Sequence, residues 1–302
     1  MNAINLKKIE KADKNIFDKF FQMYYCESSK YTFTNLYMWR NLYNILWAVE
    51  NDVLFIFAEN EKNFSAWQPF GAPDKMQDAI KKILELKGDK DFKFDFLEKN
   101  FIEELKKFPD ANFEIDFNAA YSDYVYAADD LINLSGRKFH GKKNHLNQFY
   151  KDYPAAEYVS LTAEIIPQCL ELLDAWYEIQ LNDPELVPLR LNLLQEKNAI
   201  REIFSDFDFF GIKGGAMLFG KKVAAFTFGE KLNSDTAVIH VEKAAPEIRG
   251  AFTAINQNFV AHEWKDVTFI NREEDMGIDG LRKAKESYRP VKMIEKFFAK
   301  VI

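Results

Sequence analysis

Apolar residues recur along this chain at two alternating periods, and the same succession of periods occurs twice. Ile16, Phe17, Phe20, Phe21 and Tyr24 share one stripe of a helix that Asp13 is placed to cap, and Phe33, Leu36, Tyr37 and Leu42 mark a second short helix. The period then drops toward two. Strands are predicted over 45–50 and 53–58, with Asn51 and Asp52 as a tight turn between them, and over 64–67. A helix over 74–87, a strand over 92–97, a helix over 98–107 and a strand over 112–117 close the first half. In the second half Thr162 caps a helix through Ile165, Leu173 and Tyr177, and another helix runs over 189–204. Strands follow over 209–219, 223–230 and 236–242, the first two joined by a turn at Gly220 and Lys221. A helix over 248–264, a strand over 267–271, a helix opened by Asp279 and a last strand over 291–300 complete the pattern.

Each half thus reads helix, helix, three meandering strands, helix, strand, helix, strand. That order predicts an internally duplicated α/β (α+β) chain, each copy a mixed sheet flanked by helices, with domains at 1–134 and 135–302. Between Leu131 and Lys151 the chain carries Arg137, Lys138, Lys142, Lys143 and Lys151 with His140 and His145 and not one carboxylate, although its net charge is -7. A local reversal of sign at the junction of two copies suits an anionic ligand, and a solvated helix face explains the same run.

Composition narrows the chemistry. At 48% apolar and 29% charged over 302 residues there is ample core, and 29 Phe with 13 Tyr make it rich in rings. No signal-like run opens the chain and no window is apolar enough to span a bilayer. Cys26 and Cys169 stand alone, which predicts small buried side chains in a reducing cytoplasm. The four histidines have no metal-ligand spacing, and P-loop, GxGxxG and GxSxG motifs are absent.

The element order of the second half is similar to the GCN5-related N-acyltransferase (GNAT) fold, whose fourth strand leads into a phosphate-binding Arg/Gln-x-x-Gly-x-Gly/Ala turn. Here that stretch is VIHVEKAAPEIRGAFTA, with Arg249 and Ala254 in place and Phe252 where the central glycine belongs. The segment 271–297 resembles the closing segment of phosphatidylglycerol lysyltransferases, a relative of the Fem-type peptidyltransferases, through Leu281, Arg282, Lys285, Tyr288 and Pro290. The tract LSGRKFHGKKNHLNQF is similar to the basic helix those domains carry between their halves. The 302 residues hold no counterpart of the lysyltransferases' membrane-embedded flippase part.

The resemblance implies tandem GNAT-like domains, the second active and the first structural. It also implies acyl transfer to an amine or hydroxyl of a small molecule or head group. The donor is aminoacyl-tRNA or acyl-CoA, held at the cleft between the halves. Glu242 stands where the fold often places a base, with His240 two residues before it on the same strand face, and Tyr288 near the position of a tyrosine acid. An ion pair for Glu242 and a half-buried ring for Tyr288 are the structural alternatives. Glu273, Glu274 and Asp275 are candidates to hold an amino group; Arg282 and Lys285, with Arg137, Lys138, Lys142, Lys143 and Arg249, are candidates for phosphate contacts. A CoA-dependent N-acetyltransferase and a non-catalytic anion- or RNA-binding module are the other functions this sequence allows.

Overall fold

A computed structural model of the chain describes residues 4–60, 63–88, 90–220 and 222–302. In chain order the elements are β1 (Lys7–Lys8), α1 (Lys14–Met23), α2 (Phe33–Trp39), β2 (Ile45–Glu50), β3 (Val53–Glu59), β4 (Asn63–Ala66), α3 (Met76–Leu86), β5 (Asp91–Leu97), α4 (Lys99–Lys106) and β6 (Phe113–Phe117). Then follow β7 (Asp123–Ala127), α5 (Ala128–Asn133), α6 (His140–Asp152), β8 (Ala156–Ser160), α7 (Ile166–Asn182), α8 (Arg190–Ser205), α9 (Phe207–Phe210), β9 (Lys213–Phe219), β10 (Lys222–Lys231) and β11 (Thr236–Ala244). The chain ends with α10 (Ala251–Glu263), β12 (Phe269–Asn271), α11 (Asp279–Glu286), β13 (Lys292–Ile294) and β14 (Phe297–Val301).

Two compact units result, Met1–Asp123 with Ile294–Ile302, and Tyr124–Met293. The first holds a 7-stranded sheet in the order β1-β2-β3-β4-β5-β14-β6, parallel only at β4/β5. Period-two alternation sends Phe64, Phe92, Phe94 and Ala299 into a core with Ile80 and Ile83 of α3 and Phe101 of α4. The second unit's sheet, read from its other edge, is β8-β9-β10-β11-β12-β7-β13, again with a parallel step at its centre, β11/β12. One face is covered by α10, which buries Phe259, Val260 and Ile255, and by α6 through Phe149; on β10, Phe226 and Phe228 meet Phe204 of α8 with ring centres 5.5 and 5.6 Å away. Matching sheet orders with a matching parallel step agree with the predicted duplication, and the α/β class with two mixed sheets is as expected.

The strand inserted at the second place from the edge differs from the expectation. In the first sheet that strand is β14, from the end of the chain; in the second it is β7, from the end of the first half. The predicted boundary at 134/135 therefore moves to 123/124, and the last strand returns to the first unit. The basic tract expected at the junction lies inside the second unit as α6.

Smaller differences have local causes. The strand predicted over 209–219 starts at Lys213 because Phe207–Phe210 form a helical turn closed by Gly211 at φ 66°. The helix Thr162 was expected to cap begins at Ile166, after a turn closed on the Thr162 carbonyl. Of the Gly220–Lys221 turn, Lys221 lies outside the described residues. Cys26 and Cys169 are buried thiols outside any disulfide, and Cys26 Sγ donates to the Tyr24 carbonyl at 3.0 Å. No helix among the described residues is long and apolar enough to cross a membrane.

Candidate functional site

The second unit's sheet opens where the parallel β11/β12 pairing ends. Register between β11 and β12 stops at Val238–Asn271, while β11 runs on to Ala244, so the two strands part and side chains from several elements enter the gap. A bulge at Phe228/Gly229 adds twist to β10, and only glycine fits there, since a Cβ on Gly229 would lie 2.1 Å from the Val238 carbonyl. Glu242 of β11 reaches the gap with both carboxylate oxygens engaged. Arg272 Nη2, just past β12, donates to one at 3.0 Å, and Asn256 Nδ2 of α10 donates to the other at 2.9 Å.

Around this pair lie Tyr288 and Lys142. The Tyr288 hydroxyl donates to Thr253 Oγ1 at 3.4 Å, and the Arg272 guanidinium lies 4.8 Å from the Tyr288 ring centre. Lys142 Nζ, from the basic helix α6, sits 3.9 Å over the same ring. Burial, reinforced by the Arg272 charge and opposed by Glu242, pulls the Lys142 ammonium down to about 8. Burial raises the Tyr288 phenol, so it keeps its proton at neutral pH. Arg272 Nη1 and Asn256 Oδ1 are buried there without hydrogen-bond partners. A half-buried amine that exchanges its proton near neutrality, a protonated phenol and a guanidinium with a spare donor are the parts acyl transfer uses.

The remaining expected residues brace this site from behind. His240 is clamped by Glu273 at Nδ1 (2.8 Å) and Glu230 at Nε2 (2.9 Å). Burial opposes its charge, but the two carboxylates outweigh that and push it up to about 9. An imidazolium with both nitrogens occupied has no free position for the catalytic part expected of His240 beside Glu242.

Asp275 accepts from Tyr124 Oη (2.6 Å), Arg282 Nε (2.9 Å) and the Gly277 amide (2.7 Å). It and Arg282 tie down the turn after β12 instead of meeting a ligand. Lys285 is buried and donates to the Arg272 and Glu273 carbonyls, so its expected phosphate contact is replaced by a backbone one. Glu273 sits at φ 57°, a left-handed backbone that a long side chain adopts only when held. His240, Lys285 and the Asn271 side chain, which accepts from the Glu273 amide at 2.8 Å, hold it.

Of the other basic residues, Arg137 and Lys143 are exposed, and Lys138 pairs with Asp130 at 2.8 Å. Arg249 lines a shallow groove of about 370 Å³ with His145, Gln148 and Lys151. The turn after Arg249 fits coenzyme A poorly. Gly250, at φ 87°, is packed so closely on α6 that a Cβ would lie 2.8 Å from the His145 carbonyl, which puts an acceptor oxygen beside the turn that would bind pyrophosphate. Phe252 fills the position whose glycine lets a phosphate approach, and its ring is 43% exposed there.

Residues 22–300 match the family described as "Phosphatidylglycerol lysyltransferase, C-terminal". The chain belongs to that family. The family and the tandem GNAT-like fold suggest an acyl or aminoacyl transferase. A solved protein of unknown function from Bacteroides thetaiotaomicron VPI-5482 is 32% identical, with a TM-score of 0.91 over 99% of this chain and 100% of its own. L-PGS from Bacillus licheniformis has the same fold at 14% identity, with a TM-score of 0.67 over 97% of this chain and 94% of its own. Among curated proteins, the uncharacterized protein MYCGA3080 of Mycoplasmoides gallisepticum is 25% identical over 181 residues, 60% of this chain. The match spans 56% of that relative's length. Arg272, Asn256, Thr253 and Tyr126, whose ring lies 5.7 Å from the Arg272 guanidinium, were not singled out in the family's segments.

Proposed function

We propose that the second unit transfers an aminoacyl group from aminoacyl-tRNA to an amine or hydroxyl acceptor, with the opening between β11 and β12 as the reacting centre. The observation that carries this reading is Lys142 of the basic helix lying over Tyr288 beside the Glu242–Arg272 pair. For an amine acceptor, neutral Lys142 takes a proton from the ammonium, and the freed amine adds to the ester carbonyl. Arg272 Nη1 donates to the resulting oxyanion. As the carbon–oxygen bond to the ribose breaks, Tyr288 protonates the leaving oxygen and is recharged from Lys142, while the second proton of the attacking nitrogen leaves to solvent, which gives a neutral amide and free tRNA. Glu242, expected as the base, acts in this scheme as the residue that orients Arg272 and Asn256.

The exposed Arg137 and Lys143 and the groove with Arg249 and Lys151 supply positive charge for an RNA backbone, which predicts a steep loss of affinity with salt. The crowded turn at Gly250 and Phe252 speaks against acyl-CoA as donor. Phosphatidylglycerol, named in the family's description, is the first acceptor to try. The test incubates the full chain with a labelled pool of aminoacyl-tRNAs and either phosphatidylglycerol vesicles or primary amines. Labelled product that disappears in Glu242→Gln, with tRNA binding retained, supports the reading. TRNA binding without product under every acceptor leaves a binding module, and product from acetyl-CoA alone reverses the donor.

A further inference from the structure

The face of the first unit's sheet that turns away from its core is not a flat solvated surface. In β5, Phe92 and Phe94 enter the core while Asp91, Lys93 and Asp95 point the other way, as do Phe298 and Lys300 of β14. On that side lies a cavity of about 580 Å³, within the range of small-molecule sites. Its walls are aromatic. Phe96, Tyr121 and Phe298 meet edge to face, with ring centres 5.6, 5.7 and 6.1 Å apart, and Trp67 meets Phe96 edge-on at 5.3 Å. The rings are set at 63–72° to one another, and Lys93 Nζ lies over the Phe298 ring, 5.6 Å from its centre.

Two further features set this cavity apart from an ordinary surface hollow. The indole N–H of Trp67, a residue 2% exposed, meets no acceptor, an unfavourable state for a buried donor. Phe96 sits at φ 58°, a strained backbone for a bulky residue, with its carbonyl held by the Tyr31 hydroxyl at 2.7 Å. The lining charges come close to balance, Glu59, Asp91 and Asp95 against Lys93 and Lys300, and Lys93 lies 2.8 Å from Asp95. Burial raises the Asp95 carboxyl, with Lys93 opposing. Such a lining favours an uncharged planar ring over a polyanion or a free cation.

We infer that this cavity binds a nucleobase, either as a free nucleoside or as an unstacked base of single-stranded RNA. The ring stacks on the Phe298 or Tyr121 face, an acceptor of the base meets the Trp67 N–H once the base is seated, and an exocyclic amine meets Asp95. The inference concerns the first unit and does not depend on the transfer reading.

Calorimetric titration of the full chain with each of the four nucleosides, and with a short single-stranded RNA, tests it. At least one nucleoside or the RNA binds, and Phe298→Ala and Tyr121→Ala each weaken that binding about tenfold or more. Trp67→Phe, which keeps the ring and loses the donor, weakens it about five- to tenfold. Binding of RNA without nucleosides identifies a strand as the source of the base, and binding of both includes the free nucleoside. Tyr121 is 37% exposed, so its variant keeps the fold, which melting curves verify for all three. No heat from any nucleoside or RNA overturns the inference. So does binding that Phe298→Ala and Tyr121→Ala leave unchanged, or a preference for a primary amine such as lysine.

Discussion

Arg272 is the residue on which the candidate site turns, and nothing in its local sequence announces it. Within the run NREED the acidic cluster draws attention, whereas the importance of Arg272 comes from the parting of β11 and β12, a tertiary event that brings it 3.0 Å from Glu242. Family position or local charge drew attention to Glu242 as a base, to Tyr288 as an acid and to Lys142 as a phosphate contact, and none of these marks pointed to Lys142 lying over the Tyr288 ring. His240 was legible only as a residue of interest, since its two carboxylate partners lie on other strands and loops. Replacing Arg272 by Gln leaves Glu242 buried beside a neutral amide and should cost about 3 kcal/mol in denaturant unfolding, with product formation lost.

His240 makes a pH prediction of definite sign. Its folded pKa of about 9 lies above the 6.5 of an ordinary imidazole, so its contribution is fully present below pH 6.5 and is lost as pH rises through 9. The size is roughly 3 kcal/mol by linkage. Melting temperature should therefore fall across that window in the wild type and stay flatter in His240→Gln; parallel curves would refute the clamp.

Among the elements, the turn from Arg272 to Gly277 and helix α11 behave as one brace. Arg282 and Lys285 recur three apart in the family's closing segment, and a phosphate role looked natural because one helix face carried both. Their charges are instead spent inward, on Asp275 and on two backbone carbonyls. Lys285→Met should destabilise the protein by about 2 kcal/mol and lower turnover more than tRNA affinity, because the Arg272 backbone loses its anchor. Equal losses of turnover and tRNA affinity would point to direct ligand contact. Most helices and strands were readable from periodicity. The short strands β7 and β8 were not, and only their sheet partners define them.

For the molecule as a whole, the exchange of strands decides which pieces fold. A contiguous copy spanning 135–302 lacks β7 and carries β14 without a sheet to join, whereas 123–294 contains every strand of its own sheet. The second fragment should unfold cooperatively and the first should not, as read by thermal circular dichroism. Removing 294–302 from the full chain takes out the strand between β5 and β6, together with Lys296, which is fully buried 2.5 Å from Asp123. Loss of folding in the first unit is expected, not a trimmed tail. Sequence order revealed the duplication but not the exchange, since either copy's last strand satisfies the same apolar pattern.

The transfer chemistry rests on Lys142 giving up its proton near neutrality, and the pH–rate profile of aminoacyl transfer measures that directly. The wild-type rate should rise with pH through about 8 and level off. Lys142→Arg should keep tRNA binding and lose at least a hundredfold in rate. An Arg variant that is as fast as the wild type with an unchanged profile would contradict the account.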